Sequence, residues 1–390
     1  MRPKILILPS WYPSEASPMS GIFIEDQAVV LTKTYDIAVL HPRLIGYPEL
    51  LSWRIGPRIQ QKDDHGLLVY SEPVLAPVPH QSCLAYSIYY RKARQGFEKL
   101  LNTWGRPEVI HAHVVLPAGW TALRLGQEFS IPVVLTEHSG PFSMHLKTDR
   151  SQRLVRETLT KVNRVIAVSP FLAAEIQSFH DGLEVEVIGN VIRTDFFKPE
   201  DTAREDLPSR TRFLSIASLL KKKGFIYLLE AAQLLNQRGR ISFEVMIGGD
   251  GPERNRLKRH VEVSGLSDQC YFLGPMRRSQ VRDQMQRCDV FVLPSLQETF
   301  GVVLVEAMAC GKPVIATRCG GPEFVLTEDT GFLVEVGDSR ALAAVMERFI
   351  TRAVRFNPAS IRQSICERFG ENTFLEIISD IYKGLGIKGD

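Results

Sequence analysis

The sequence has few cysteines, and those it has are scattered. The six cysteines among 390 residues form no C-x-x-C pair and have no histidine nearby at ligand spacing. Such pairs and spacings are what zinc sites and disulfide frameworks require. We therefore expect neither a metal site nor disulfides, and we interpret the six as reduced, mostly buried thiols.

Long apolar runs are also missing. No stretch approaches the roughly 18 apolar residues of a transmembrane helix. The first eight residues are a short charged start followed by a short apolar strand, and proline comes next. A signal peptide has a longer apolar segment and a cleavage site. We expect a cytoplasmic protein.

The chain has no excess of charge of one sign. Lys and Arg number 47 and Asp and Glu 44, which gives a formal net charge of +3 at pH 7. Nucleic-acid-binding proteins usually carry a much larger basic excess, so no nucleic-acid partner is expected. The hydrophobic fraction of 44% and the charged fraction of 23% are typical of a globular protein, and 390 residues suffice for two domains.

Two chemical motifs are absent. No G-x-G-x-x-G follows the first apolar strand, which argues against a dinucleotide-dependent oxidoreductase, and the sequence contains no D-x-D. Instead a loop rich in Pro and Ser runs to Gly21, and a helix is predicted from about Ile22. Trp11 and Tyr12 in this loop either stack on a sugar ring or pack in the core, and both interpretations stay open.

Short apolar runs alternate with helical patterns along the whole chain, which predicts parallel α/β sheets covered on both faces. The polar segment 199–212 separates two series of strands. We predict Rossmann-like domains at 1–198 and 213–368, a linker at 199–212 and a C-terminal helix within 369–390. The predicted strands begin at Lys4, Asp36, Leu67, Glu108, Pro132, Arg164 and Glu184, and then at Phe213, Phe243, Cys270, Asp289 and Pro313.

Glu298 and Glu306 are the most informative pair in the sequence. A buried strand is predicted at 289–294 and a helix at 301–309, so Glu298 precedes the helix and Glu306 lies on it. A helix N-terminus after a strand suits a diphosphate. Glutamates at this spacing also occur on solvated helix faces. This helix is too apolar for such a face, and a carboxylate on a buried helix needs a partner.

Residues 289–325 resemble the donor-site region of retaining GT-B glycosyltransferases of the family 4 type, whose signature is two glutamates separated by seven residues. The segment GFLVEVGD from Gly331 resembles the one that follows in that family. The resemblance implies a GT-B fold, with two Rossmann-like domains facing each other across a cleft and a C-terminal helix that crosses back. It also implies a nucleotide-sugar donor, retention of configuration, and no cofactor or obligatory metal.

The resemblance also implies roles for single residues. Glu298 would bind donor-sugar hydroxyls, Glu306 the ribose, and Lys223 the diphosphate, while His138 in T-x-H would orient the sugar. Ser218 stands where the family usually has arginine, which leaves the diphosphate charge balance open. The remaining matched positions are Phe300, Gly301, Val302, Gly249, Gly251 and Leu273 on the donor side, and Gly21, Trp11, Tyr12 and His113 on the acceptor side. Simple structural roles remain open for His113, for its neighbour His111 and for the glycines.

The acceptor is the least determined part of the function. Residues 80–101 combine aromatic side chains with Arg91, Lys92, Arg94 and Lys99, as in helices that lie on anionic membranes. Ordinary domain surface explains the same pattern. We expect a glycan or lipid-linked acceptor in cell-surface polysaccharide or glycolipid synthesis, with peripheral attachment at the inner face of the membrane. The alternatives are a nucleotide-sugar epimerase or phosphorylase of the same architecture, or a non-catalytic nucleotide-sugar-binding protein.

Overall fold

The computed structural model describes residues 2–14, 17–46, 60–62, 66–76, 82–200, 210–239 and 242–387. Residues 201–209 of the predicted linker and His80 lie outside these ranges. The chain divides into two compact units. The first unit consists of Met1–Val191 and Asn372–Asp390, and the second of Ile192–Glu371.

The first unit contains an eight-stranded sheet with the strand order β3-β4-β2-β1-β5-β6-β7-β8. All described pairings are parallel except that of β3 with β4. The central strands are buried on both faces, as their continuous Ile, Leu and Val content predicts. The strands are β1 (Lys4–Pro9), β2 (Asp36–Ile45), β3 (Gln60–Lys62), β4 (Leu67–Leu75), β5 (Val109–His113), β6 (Val133–Glu137), β7 (Arg164–Ala167) and β8 (Glu186–Val187).

Five helices follow strands of this sheet, and a sixth comes from the chain end. Side-chain caps start three of them, with Ser82, Thr148 and Ser169 accepting bonds from the first turn. The helices are α1 (Ile22–Leu31), α2 (Cys83–Thr103), α3 (Trp120–Phe129), α4 (Asp149–Lys161) and α5 (Pro170–Phe179).

The second unit contains a six-stranded parallel sheet with the order β11-β10-β9-β12-β13-β14. Its strands are β9 (Thr211–Ile216), β10 (Phe243–Gly248), β11 (Cys270–Gly274), β12 (Val290–Leu293), β13 (Val314–Thr317) and β14 (Gly331–Val334). Its helices are α6 (Phe225–Gln237), α7 (Arg254–Val263), α8 (Arg278–Arg287), α9 (Val302–Ala309), α10 (Pro322–Val325), α11 (Ser339–Ile350) and α12 (Pro358–Phe369).

The last helix, α13 (Glu371–Gly384), packs in the first unit. Its side chains Phe374, Ile378 and Tyr382 belong to the same apolar cluster as residues of β1 and α1. The Tyr382 hydroxyl lies 2.7 Å from His111 Nδ1 on β5. The buried apolar stripe and this bond together fix α13 against the sheet.

Residues 192–198 pack with the second unit, although the sequence pattern grouped them with the first. Ile192 N donates to Phe369 O at 2.9 Å, and the Arg362 guanidinium donates to the carbonyls of Thr194 and Phe197 at 2.9 and 2.8 Å. Arg362 therefore holds this segment to α12.

Both Rossmann-like sheets were predicted from the sequence, with differences in detail. The strand predicted from Glu184 is only two residues long. Strands β3 and β14 were not predicted, and β9 begins at Thr211, inside the predicted linker. The helical pattern from Phe369 is interrupted at Gly370, where α12 ends. Within the described ranges no helix is long and apolar enough to cross a membrane.

Candidate functional site

Lys223 and Glu298 meet at one edge of the second sheet. Lys223 ends a short helical turn after β9, and Glu298 lies in the loop between β12 and α9. Their Nζ and Oε1 atoms are 2.5 Å apart, and Ser295 Oγ donates to the same Oε1 at 2.7 Å. The two charged side chains are only 20% and 11% exposed. Two residues predicted separately for the site thus form one partly buried ion pair.

Backbone hydrogen bonds hold the Glu298 loop on both sides. Leu296 N donates to Lys222 O at 2.8 Å, which ties the loop to the lysine turn. On the other side, Glu298 N donates to Cys319 O at 3.2 Å and Gly321 N donates to Glu298 O at 2.8 Å. These bonds fix the backbone of Glu298 independently of the ion pair.

Glu306 lies on α9 and is 5% exposed, next to the apolar residues that bury the rest of that helix. Glu298 is largely buried as well. The interpretation of the two glutamates as members of a solvated helix face is therefore wrong. Burial of a carboxylate is unfavourable unless other groups bind it, so both positions are constrained.

The start of α9 offers backbone rather than side-chain groups. Gly301 has φ +89 and precedes Val302, the first residue of the helix, whose leading N–H groups have no intrahelical acceptor. The Phe300 side chain is 1% exposed and packs edge-on against Phe369, with the two ring centroids 5.3 Å apart. Phe300 is thus a core residue, and only its backbone is available to a ligand.

The glycine turn after β10 comes close to the end of β9. Gly249 has φ +120, and a Cβ there would lie 2.0 Å from Ala217 O, so no other residue fits. Its N–H donates to Gly274 O at the end of β11. Gly251 follows in the same turn, and Leu273 is half-buried just before Gly274.

Four neighbouring strands thus contribute to one sheet edge. Predicted donor-side residues come directly after β9, β10 and β12, and Leu273 lies at the end of β11. All of these positions are at the carboxyl ends of neighbouring strands. This is the edge where open parallel α/β sheets bind ligands.

Positive charge at this edge comes from adjacent lysines. Ser218, where arginine was expected, is exposed and carries no charge. Desolvation and the neighbouring Lys223 lower the pKa of Lys222, while Glu298 acts in the opposite direction. Lys222 is therefore within electrostatic range of the ion pair, although both Lys221 and Lys222 are exposed.

Three histidines form a buried row in the first unit. His111 Nε2 lies 2.7 Å from Thr136 Oγ1, and the His111 ring stacks on that of His113. His113 Nδ1 lies 2.9 Å from His138 Nε2. Desolvation lowers the pKa of His111 and of His138 to about 3, and that of His113 well below its ordinary value. All three rings are therefore neutral at pH 7.

These contacts assign a role to His111 and leave both roles open for His113. His111 bonds to Thr136 and Tyr382 and has a structural role. His113 and His138 are paired with each other, and the Phe23 ring of α1 lies 4.9 Å from His138, centroid to centroid. In the described part of the chain, no group of three His, Cys, Asp or Glu side chains is arranged to hold a metal ion.

A cavity of about 350 Å³ lies within the first unit and is called the first-unit cavity below. Trp11 and Tyr12 line it, whereas Gly21 and His113 do not. Gly21 shapes it indirectly, because it has φ +68 and a Cβ there would lie 2.5 Å from Trp11 O. The remaining lining residues are Ser10, Ser14, Ser17, Ser20, His41, Pro42, Arg43, Leu44, Tyr86, Tyr89, Leu116, Pro117, Met144 and His145.

Three polar residues of this cavity, His41, Arg43 and His145, were not predicted from the sequence. His41 and Arg43 lie toward the end of β2, and His145 follows β6 by eight residues. The position of polar residues at strand ends was the available signal, since ligands bind at that edge in parallel sheets.

The basic residues of α2 are largely paired within the first unit. The Arg94 guanidinium donates to Glu128 at 2.7 Å and lies 2.9 Å from Glu98. Lys92 Nζ lies 3.8 Å from a Glu72 oxygen, and Arg91 is exposed. Carboxylates therefore offset much of the positive charge that suggested a membrane-binding helix.

Two family profiles match this chain, one in each half. The profile "Glycosyltransferase Family 4" matches residues 53–196, and "Glycosyl transferases group 1" matches residues 198–373. Together they cover most of the chain. The chain belongs to this group of glycosyltransferases. The predicted family and enzyme class are confirmed.

Curated relatives agree with this assignment. The glycosyltransferase is 27% identical over 366 residues to the putative teichuronic acid biosynthesis glycosyltransferase TuaC of Bacillus subtilis. The alignment covers 89% of each chain. It is 28% identical over 282 residues to the lipopolysaccharide core biosynthesis glycosyltransferase LpsD of Rhizobium meliloti. This alignment covers 67% of this chain and 78% of the relative.

Solved structures confirm the fold class. Sucrose-phosphate synthase from Thermosynechococcus elongatus superimposes with a TM-score of 0.80 at 21% identity, over 99% of each chain. Anabaena HepE in complex with UDP and glucose gives 0.73 at 19% identity, over 98% of this chain and all of the other. At these identities the likeness establishes the GT-B fold alone.

Proposed function

We propose that this glycosyltransferase transfers a sugar, with retention of configuration, from a nucleotide-diphosphate sugar to an acceptor hydroxyl. The observation that carries the proposal is the Lys223–Glu298 pair at the carboxyl edge of the second sheet, next to the start of α9. The UDP and glucose bound to Anabaena HepE support a donor of this class.

Lys223 and α9 supply the groups that a leaving diphosphate needs. A diphosphate carries more negative charge than one carboxylate, so it competes with Glu298 for the Lys223 ammonium. The leading N–H groups of α9, from Val302 on, add donors and a partial positive charge. Because these groups are held in position before reaction, they stabilise the charge that develops on the leaving group.

The two glutamates bind the hydroxyl groups of the donor. Glu298 stays in place when Lys223 turns to the diphosphate, because Ser295 and the loop backbone hold it. Its carboxylate then accepts hydrogen bonds from the donor sugar. Glu306, buried on the same helix as the diphosphate-binding N–H groups, accepts bonds from the ribose.

The transfer itself needs no covalent enzyme intermediate. The bond between the anomeric carbon and the diphosphate oxygen breaks, and the diphosphate leaves with the electron pair. The acceptor oxygen bonds to the same face of that carbon, and its proton passes to an oxygen of the leaving phosphate. Lys223 and the α9 N–H groups act on the leaving oxygen, and no metal ion takes part.

Turnover distinguishes this proposal from its alternatives. Each of a set of nucleotide sugars is incubated with the full-length protein, with and without acceptor glycosides, and in the presence of EDTA. A transferase releases nucleoside diphosphate only with acceptor, and NMR of the product shows the donor's anomeric configuration. An epimerase interconverts the sugars without release, a phosphorylase requires phosphate, and a binding protein turns nothing over.

The names of two relatives support a proposal for the acceptor class. The names of TuaC and LpsD support a place in cell-surface polysaccharide or glycolipid synthesis, with a glycan or lipid-linked acceptor. The first-unit cavity, which combines Trp11 and Tyr12 with four serines, supports binding of a hydroxylated ring there. Peripheral contact of α2 with the inner face of an anionic membrane would bring such an acceptor to the enzyme.

A further inference from the structure

A buried row of polar side chains, Glu137, Ser139 and His145, leads to the first-unit cavity. Glu137 ends β6 and is fully buried. Val115 N donates to its Oε2 at 2.7 Å, and the N–H groups of His138 and Ser139 donate to Oε1 at 2.9 and 2.8 Å. Because Oε1 already accepts bonds from two backbone N–H groups, this oxygen acts as an acceptor toward further partners.

The number of donors and acceptors in this row determines which atom of His145 carries the ring proton. The Ser139 hydroxyl contacts Glu137 Oε1 and also lies 2.6 Å from His145 Nε2. Its single proton must go to the carboxylate. His145 Nε2 therefore donates its own proton to Ser139 Oγ, so the imidazole is the Nε2–H tautomer with a lone pair on Nδ1.

The His145 ring is also neutral, as a single ring proton on Nε2 requires. Desolvation lowers the pKa of His145, and Lys147 lowers it further, while Glu137 acts in the opposite direction. The His145 ring is therefore neutral at pH 7, and Nδ1 is a hydrogen-bond acceptor.

The cavity side of the row is open to a ligand. His145 lines the first-unit cavity, and among the described residues its Nδ1 has no hydrogen-bond partner. A second imidazole lies in the same wall. This imidazole is His41, which lines the cavity although its Nδ1 atom is buried from solvent. Two imidazoles and four serines line the cavity, which suits it to a polar ligand.

We propose that His145 Nδ1 accepts a hydrogen bond from a hydroxyl of the acceptor sugar. Glu137 and Ser139 are positioning residues that keep the proton on Nε2. The proposal rests on the proposed function, because it identifies how that acceptor is recognised. It makes His145 a specificity-determining residue, since a ring that lacks a hydroxyl at this point leaves Nδ1 without a partner.

The tautomer is tested first, by NMR of the full-length protein labelled with ¹⁵N in its histidine rings. The His145 signals are identified by their loss in His145→Phe. We expect the Nε2–H pattern at neutral pH, and a mixture of tautomers in Ser139→Ala. A purely structural Ser139 would leave the ring pattern unchanged, and an Nδ1–H pattern in the native protein would overturn the proposal.

Ligand contact is tested with methyl glycosides of glucose, galactose, mannose and N-acetylglucosamine. We expect at least one glycoside to shift the His145 Nδ1 signal, with its affinity about tenfold lower in His145→Phe. His180→Phe is the matched control, because His180 lies in the same unit and does not line the cavity. If no glycoside moves the Nδ1 signal, or if His145→Phe binds as the native protein does, the proposal is wrong.

A parallel titration with nucleotide sugars separates this inference from the proposed function. Glu306→Ala and His145→Phe change residues of different units. Nucleotide-sugar binding without any glycoside effect at His145 would overturn the inference alone. A glycoside effect at His145 without nucleotide-sugar binding would instead overturn the proposed donor.

Discussion

Lys223 Nζ lies 2.5 Å from Glu298 Oε1, although 75 residues separate the two in the chain. The strand order explains the contact, because β9 and β12 are neighbours in the sheet and each residue follows one of them. The pair joins the group proposed to act on the leaving diphosphate to the group proposed to bind the donor sugar.

Removal of the Lys223 charge tests the role of this pair in the transition state. We expect Lys223→Ala to lower kcat/KM by about a hundredfold or more, because the ammonium acts mainly on charge that develops on the departing diphosphate. Lys221→Ala is the matched control, since Lys221 is exposed two residues earlier. Near-native turnover by a folded Lys223→Ala variant would assign the diphosphate to Lys222 instead.

The buried histidines make the stability of the first unit depend on pH. The pKa values of His41, His111 and His138 are each lowered to about 3, from about 6.5 in an unfolded chain. Below pH 6.5 the unfolded chain takes up protons that the folded unit does not, so stability falls as the pH falls from about 6.5 toward 3. Each such histidine contributes a slope of up to about 1.4 kcal/mol per pH unit.

Tryptophan fluorescence isolates this effect, because all four tryptophans belong to residues 1–191 of the first unit. Urea unfolding at a series of pH values should show the slope, and His111→Gln should reduce it. His180→Gln, a change at a partly exposed histidine of the same unit, should keep the native slope. If the free energy of unfolding does not change between pH 6.5 and 4, the conclusion that His41, His111 and His138 are buried as neutral rings is wrong.

Vesicle binding tests the membrane role of α2. We expect the native protein to sediment with anionic vesicles, and we expect neutralisation of Arg91, Lys92 and Arg94 together to release it, at roughly 1 kcal/mol per charge near the surface. Added salt should weaken the binding. Because Glu128 offsets Arg94, Glu128→Gln should strengthen it. A native protein that stays in the supernatant with both neutral and anionic vesicles would make α2 ordinary domain surface.

The sequence predicts most of the strands, because buried parallel strands depend on local patterns, and the proposed donor-side residues likewise come from local motifs. Continuous apolar runs such as that of β12 identify buried parallel strands, and Glu298 and Glu306 follow at a recognisable spacing. The two-residue strand β8 and the antiparallel β3 carry too few apolar residues for such a pattern.

Features that depend on tertiary contact could not be predicted. The packing of residues 192–198 on α12 depends on the bonds that Arg362 donates, and the proposed His145 tautomer depends on the contact of Ser139 with Glu137. The paired state of Arg94 likewise depends on Glu128, which lies on a different helix. Arg362 and Glu128 are distant in sequence from the residues they contact. Glu137 is close to Ser139, but it is only one of several polar residues there.

The central claim is that the second unit binds a nucleotide sugar with Glu306 on the ribose. Calorimetric titration of a nucleotide-sugar panel into the native protein and into Glu306→Ala tests it directly. Glu306→Gln serves as the variant of matched size. We predict that one donor binds the native protein and that Glu306→Ala weakens it by about 1.5–3 kcal/mol, since hydroxyls lose a charged acceptor. Equal affinity in the native protein and in folded Glu306→Ala would contradict the claim.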